Sequence, residues 1–165
     1  MAKLNVLFKV SSVLRKNVDV FKFIKEVSEK YSIGLIVGGG SDINEAFEEA
    51  GYQIKFCPLG RETESLEERQ LARNILERNE ASIQDLLDED DINVRTQIPF
   101  RDLAGVLCPE NGDLLVLSGY IGYDKIYICC TEDRVEEKEA WVKLVPKVFK
   151  HIAEGELDKI EVKGF

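Results

Sequence analysis

The chain has 165 residues, 44% hydrophobic and 32% charged, a composition that suits one domain with a real core and excludes a disordered chain. Its formal net charge of −9 argues against a nucleic-acid partner, because phosphate backbones are held by clustered Lys and Arg. No run approaches the ~18 apolar residues of a membrane span, and Met1-Ala2-Lys3-Leu4-Asn5 does not read as a signal peptide.

Residues 4–10 read as a strand rich in branched side chains. Residues 18–31 read as a helix, because Val18, Phe21, Ile24, Val27 and Tyr31 recur at helical spacing. The apolar run 34–37 reads as a strand buried on both faces, and Gly38-Gly39-Gly40 follows it directly. A helix is predicted from about residue 42 to 50, with Gly51 as its stop, and then a strand over 53–57. The segment 61–91 is charged and helical; Ser65 with Glu68 and Ser82 with Asp85 are spaced like capping boxes and predict two consecutive helices. Asp88-Glu89-Asp90-Asp91 reads as a solvated acidic turn and not a metal site.

Further on, residues 94–98 and 103–108 read as strands around Pro99, 113–120 as a short helix and 125–130 as a strong strand. Trp141, Leu144, Val145, Val148, Phe149 and Ile152 mark a last helix, which Pro146 is predicted to kink or restart. Residues 159–162 close the chain as a strand. The alternation predicts a single α/β domain over 1–165, a mostly parallel sheet sandwiched between helices.

Four cysteines occur, Cys57, Cys108, Cys129 and Cys130, with no C-x-x-C pair and a single His, so no metal site is expected. Cys129 and Cys130 are neighbours on a predicted strand and point to opposite faces. All four read as buried, reduced thiols of a cytoplasmic protein.

Three places carry candidate chemistry. Gly38, Gly39 and Gly40, between a buried strand and a helix, let a backbone approach a phosphate or carboxylate at a helix N-terminus; the same glycines also suit a tight turn with no ligand. The sequence has neither dinucleotide nor P-loop spacing. Lys9 stands near the C-terminal end of an apolar strand, where parallel sheets bind ligands; a lysine whose stem packs and whose ammonium reaches water is the alternative. Asn111-Gly112-Asp113 caps a helix, and its functional reading needs a cationic partner such as Lys9.

Taken in order, these segments resemble the amino acid kinase family, which includes acetylglutamate, carbamate, aspartate and uridylate kinases. Phe8-Lys9-Val10-Ser11-Ser12 resembles the family's opening strand, and Ile36-Val37-Gly38-Gly39-Gly40 its glycine turn, followed by an Ile43-Asn44 step. Asn111-Gly112-Asp113 is similar to the Asn-x-Asp before a central strand. Thr131-Glu132-Asp133 stands at the family's Ser/Thr-Asp step, and Gly155-Glu156 with residues 159–162 resembles the close of uridylate kinases.

The resemblance implies a three-layer αβα fold. It implies phosphoryl contact by Lys9, acceptor binding by Gly38, Gly39 and Gly40, and organisation of catalytic lysines by Asp113, with Ser11 and Asn111 beside the substrate. It also implies a small anionic metabolite as ligand, a homodimer built on the helix around Phe47 or on the 61–87 region, and ATP with Mg if phosphoryl transfer is retained. The chain departs from the family in having Ser11 and Ser12 for glycines, Arg134 in the turn after the central strand, and a shortened segment where the family binds nucleotide. Weak or absent ATP binding is therefore expected. Lys143, Lys147, Lys150 and Lys163 lie outside any second-lysine motif, and none is assigned that role.

Overall fold

The computed structural model describes residues 4–148 and 154–165. Five parallel strands form its centre in the order β5-β2-β1-β8-β9. They are β1 (Asn5–Val10), β2 (Ser32–Val37), β5 (Arg95–Gln97), β8 (Lys125–Cys130) and β9 (Ile160–Gly164). β1 is flanked on both sides, with Lys9 opposite Ile36 of β2 and Ile128 of β8. A strand so placed needs apolar side chains on both faces, which explains the nearly unbroken run Val6 to Val10.

Strand alternation divides the core into two layers. Val6, Phe8 and Val10 pack with Leu35, Val37 and Cys129 against α1 (Val18–Ser28) and the second half of α3 (Leu66–Glu89). Leu7, Ile36, Ile126 and Ile128 pack on the opposite face against Val116 of α4 (Gly112–Ser118) and Val142 of α5 (Val135–Val148). The expected α/β sandwich is therefore present, with helices on both faces. Helix α2 (Gly40–Ala50) joins α3 through Ile43, Phe47, Ala72, Ile75 and Leu76, and Gly51 ends it in the left-handed conformation at φ 75°. Among the described residues no helix is long and apolar enough to cross a membrane.

Several local expectations are corrected. Residues 66–89 form one 24-residue helix, not two. The Ser65 and Glu68 capping box is present, but Ser82 and Asp85 lie inside the helix, where the backbone N–H groups are already bonded. The apolar stripe runs from Ala72, Ile75 and Leu76 to Ile83 and Leu87, interrupted only by buried Asn79. The Asn79 amide donates to Asp42 at 2.7 Å, so this polar residue is satisfied without breaking the helix. Ser65→Ala is expected to cost about 1 kcal/mol, a fall of about 2–4 °C in melting temperature by circular dichroism.

Two predicted strands belong to antiparallel hairpins outside the main sheet. β3 (Lys55–Cys57) pairs with β4 (Gly60–Glu62), and β6 (Phe100–Leu103) with β7 (Val106–Pro109). The second hairpin turns at Ala104 and Gly105, at φ 54° and 87°. An alanine in the left-handed region is a poor turn signal, so residues 103–108 read as one strand where there are two strand ends and a turn. α5 starts at Val135 and runs through Pro146 without a break; the predicted core positions Phe149 and Ile152, like Lys150 and Met1 to Lys3, lie outside the described residues. Cys129 and Cys130 are fully buried, but Cys57 and Cys108 are only half-buried, because they sit on the peripheral hairpins.

Candidate anion site at the C-terminal edge of the sheet

The alternation that buries Val6, Phe8 and Val10 on one face sends Lys9 to the other, the face covered by α4 and α5. Lys9 is 7% exposed and Asp113, near the start of α4, is 6% exposed. Asn111 caps α4 by accepting from the backbone N–H of Asp113 and Leu114 at 3.0 and 3.3 Å, which points Asp113 back at the sheet. Lys9 Nζ lies 3.1 Å from Asp113 Oδ1. That contact is an ion pair without good hydrogen-bond geometry, since Oδ1 has no hydrogen-bond partner. The other carboxylate oxygen, Oδ2, is taken by the ammonium of Lys138 on α5.

A buried lysine, Lys9, and a half-buried one, Lys138, thus share one buried carboxylate. Burial pushes the Asp113 carboxyl up, but Lys9 and Lys138 outweigh it and hold it below the usual carboxylate range. One carboxylate cannot neutralise two ammonium groups, so the cluster carries an excess positive charge in a place where uncompensated charge is costly. Cys130, at the end of β8, lies in the field of both lysines, yet burial pushes its thiol up, which makes it an inert wall and not a nucleophile.

Glycines shape the space around Lys9. A Cβ at Gly38 would lie 3.2 Å from Val10 O and 3.6 Å from Lys9 Cε, and one at Gly112 would lie 3.7 Å from Lys9 Cε. The lysine stem therefore passes close to two bare backbones. Gly39 has a different reason: its Cβ would meet Leu76 Cδ2 at 2.6 Å, so its smallness lets α2 pack on α3. Gly40 alone of the three faces open space. α2 has no side-chain cap at its N-terminus, which leaves its first N–H groups without a side-chain acceptor. Asp42 in its first turn is engaged by Arg15 at 3.0 Å and by Asn79.

Ser11 and Ser12 tie elements together. The Ser11 N–H donates to Cys129 O at 3.2 Å, and the Ser12 and Ser41 hydroxyls share a 2.8 Å hydrogen bond.

The sequence reading missed two cations. Lys138 lies in the acidic run Glu136-Glu137-Lys138-Glu139, where nothing marks it as buried. Arg61 on β4 is 8% exposed. Its guanidinium stacks on Phe47 and Phe56, 4.8 and 4.5 Å from the ring centroids. Nη2 donates to Asn44 Oδ1 at 2.5 Å and to Gly40 O at 3.4 Å, which places the group at the start of α2. Nη1 is buried without a partner, and burial lowers the guanidinium only to about 10, so it stays charged. The available cue was Gly60 before it: a Cβ there would meet Pro109 O at 2.5 Å and Asn111 N at 2.9 Å.

That contact docks the β3–β4 hairpin onto Asn111, whose own N–H donates to Leu59 O at 2.8 Å and whose Nδ2 donates to Pro58 O at 3.3 Å. Arg61 is thereby tied to the residue that caps α4 and aims Asp113. Gly60→Ala is expected to lose ~1–3 kcal/mol by overpacking, measured as a lower midpoint in urea. The other candidates stand apart: Arg134 is paired with Glu137 at 2.9 and 3.0 Å, Lys163 lies over the Phe23 ring, and Lys143 is exposed.

A three-layer α/β domain with a cationic cluster beyond the C-terminal ends of its central strands is the class that fold and site define. No family model matches the chain, and no curated protein matches it. Among solved structures the chain is similar to smu.665 from Streptococcus mutans UA159, at 14% identity over 96% of this chain and 94% of that one, with a TM-score of 0.59. At that identity the likeness shows the α/β fold alone.

Proposed function

We propose that the chain is an amino-acid-kinase-like protein that binds a small carboxylate or phosphate metabolite between the Lys9–Asp113–Lys138 cluster and the Arg61 end of α2. The observation that carries this reading is the buried cluster of two ammonium groups on one carboxylate, whose excess charge an anion would neutralise. Arg61 supports it as a second cationic point, with Nη1 free to donate beside uncapped helix N–H groups. Four unpaired thiols fit a reducing cytoplasm.

A specific observation also favours phosphoryl transfer as a second reading. Lys9 and Lys138 converge on Asp113, an arrangement suited to stabilising charge that develops on a transferring group. Against it, the path from β8 to β9 holds a short turn and α5, then a second short turn over 154–159.

Thermal melting with inorganic phosphate, pyrophosphate and short dicarboxylates tests the binding reading. A ligand at a hundred times its dissociation constant adds roughly 2.7 kcal/mol, a rise of about 5–10 °C. The same assay with MgATP separates the two readings: no rise is expected, and a tight magnesium-dependent rise would favour transfer.

A further inference from the structure

On the face of the sheet opposite the Lys9 cluster, α1 and α3 flank an open groove of about 920 Å³. That volume lies within the range of small-molecule sites, about 300–1,000 Å³. Both walls are helices, whose backbone groups are bonded internally, so the groove offers a ligand side chains alone. Phe21 and Leu86 form part of its apolar lining, and Val18 stands 78% exposed at its edge.

The two ends of the groove differ in charge. At one end Lys25 of α1 and Asp90 after α3 pair at 3.2 Å. At the other, Asp42 accepts hydrogen bonds from both Arg15 and Asn79, at 3.0 and 2.7 Å, which brings the start of α1 to the middle of α3. Lys16 and Arg78, the sequence neighbours of those two residues, line the groove at this end, and neither has an ion pair among the described residues. Of the carboxylates in the lining, Asp90 is held by Lys25, and Asp85 lies about two helical turns from Arg78. In a chain of net charge −9, one end of an apolar groove is thus cationic and without a counter-charge.

We propose that this groove binds a single-chain anionic amphiphile, a fatty carboxylate. Its carboxylate lies between Lys16 and Arg78, where it gains charge-assisted hydrogen bonds. Its chain runs over Phe21 and Leu86 towards the neutral Lys25–Asp90 end, so that the apolar lining is covered. The length suits this: the α3 wall from Arg78 to Asp90 runs about 18 Å, and an extended chain of on the order of twelve carbons, with bonds of about 1.5 Å, spans most of it. The concave shape admits one chain, whereas a flat bilayer surface would not enter between the helices. The proposal is independent of the anion site.

Calorimetric titration of dodecanoate, kept below its micelle concentration, into the full chain tests it. Saturable binding is expected, weaker for octanoate and at least tenfold weaker for dodecyltrimethylammonium, which has the wrong charge. Lys16→Glu and Arg78→Glu should each weaken dodecanoate binding tenfold or more. Ala81→Trp, which fills the groove and leaves its charge alone, should weaken it as well. All three altered side chains are exposed, and circular dichroism checks that each variant folds. Lys138→Met should bind dodecanoate as the wild type does, which separates the groove from the anion cluster. A wild type without saturable binding overturns the proposal, even if it binds anionic vesicles or an acidic peptide. Equal affinity for dodecyltrimethylammonium, indifference to both charge reversals, or loss of binding in Lys138→Met overturns it as well.

Discussion

Asp113→Ala is expected to cost about 3–5 kcal/mol, the penalty for leaving buried charge without its counter-charge. The variant would bury the Lys9 and Lys138 ammonium groups side by side, with Coulomb attraction turned into repulsion. For a domain of this size the melting temperature should fall by on the order of 10 °C. Removing one lysine should cost much less: Lys138→Met leaves Lys9 and Asp113 as a neutral pair, and the methionine keeps most of the stem packing. The same small cost is expected of Lys9→Met, because Lys138 then neutralises Asp113, and small costs at both lysines are diagnostic of a shared carboxylate. A simple Lys9–Asp113 ion pair with a bystander Lys138 would instead make Lys9→Met about as costly as Asp113→Ala.

The same group sets a pH dependence. The folded Asp113 carboxyl lies below its ordinary value of 3.8, so the unfolded chain binds its proton more readily than the native one. Its contribution to stability is present above the unfolded value and is lost as pH falls through the depressed folded value. The gap between wild type and Asp113→Ala, measured as urea midpoints, should be full at pH ~6 and narrow as the pH falls below ~4. A gap that stayed constant across that range would show that the carboxylate charge is not what stabilises the cluster.

Arg61→Met is expected to weaken anion binding by roughly ten- to a hundredfold, the loss of one charge-assisted hydrogen bond at about 1.5–3 kcal/mol. Methionine can still lie against Phe47 and Phe56, so the hairpin keeps much of its packing and the loss should appear in affinity more than in stability. Arg61→Lys should not rescue it fully, because an ammonium lacks the planar fork that stacks between two rings and reaches Asn44 at the same time. Full affinity in Arg61→Met would place the ligand elsewhere.

The central parallel sheet was legible because its strands are buried on both faces and so read as continuous apolar runs. The 125–130 strand was predicted to the residue, and the Gly38 to Gly40 turn joins strand to helix beside Lys9 as the residue order implied. What was not legible depended on pairing at a distance. The span 66–89 is a continuous helix because Asp42, far away in sequence, satisfies Asn79. The two hairpins hold strands as short as three residues, too few for alternation to show. Lys138 looks like one more surface charge until α5 folds over β8 and presses it onto Asp113. Arg61 is marked only by the glycine before it, and that signal has meaning only once the hairpin meets Asn111. Of the predicted site, Lys9, Asp113, Gly38 and Asn111 come together; Gly39 turns out to serve helix packing.

The most direct test is calorimetric titration of inorganic phosphate, pyrophosphate and short dicarboxylates into three proteins at low salt: wild type, Lys138→Met, and Lys143→Ala. Lys138 supplies the excess charge of the cluster, whereas Lys143 is an exposed lysine on the same helix. The expected result is saturable binding of at least one of these anions to the wild type, retained in Lys143→Ala and lost or weakened at least tenfold in Lys138→Met. Saturable binding that Lys138→Met leaves unchanged, or no saturable heat from any of these anions in the wild type, would contradict the assignment of this cluster as an anion site.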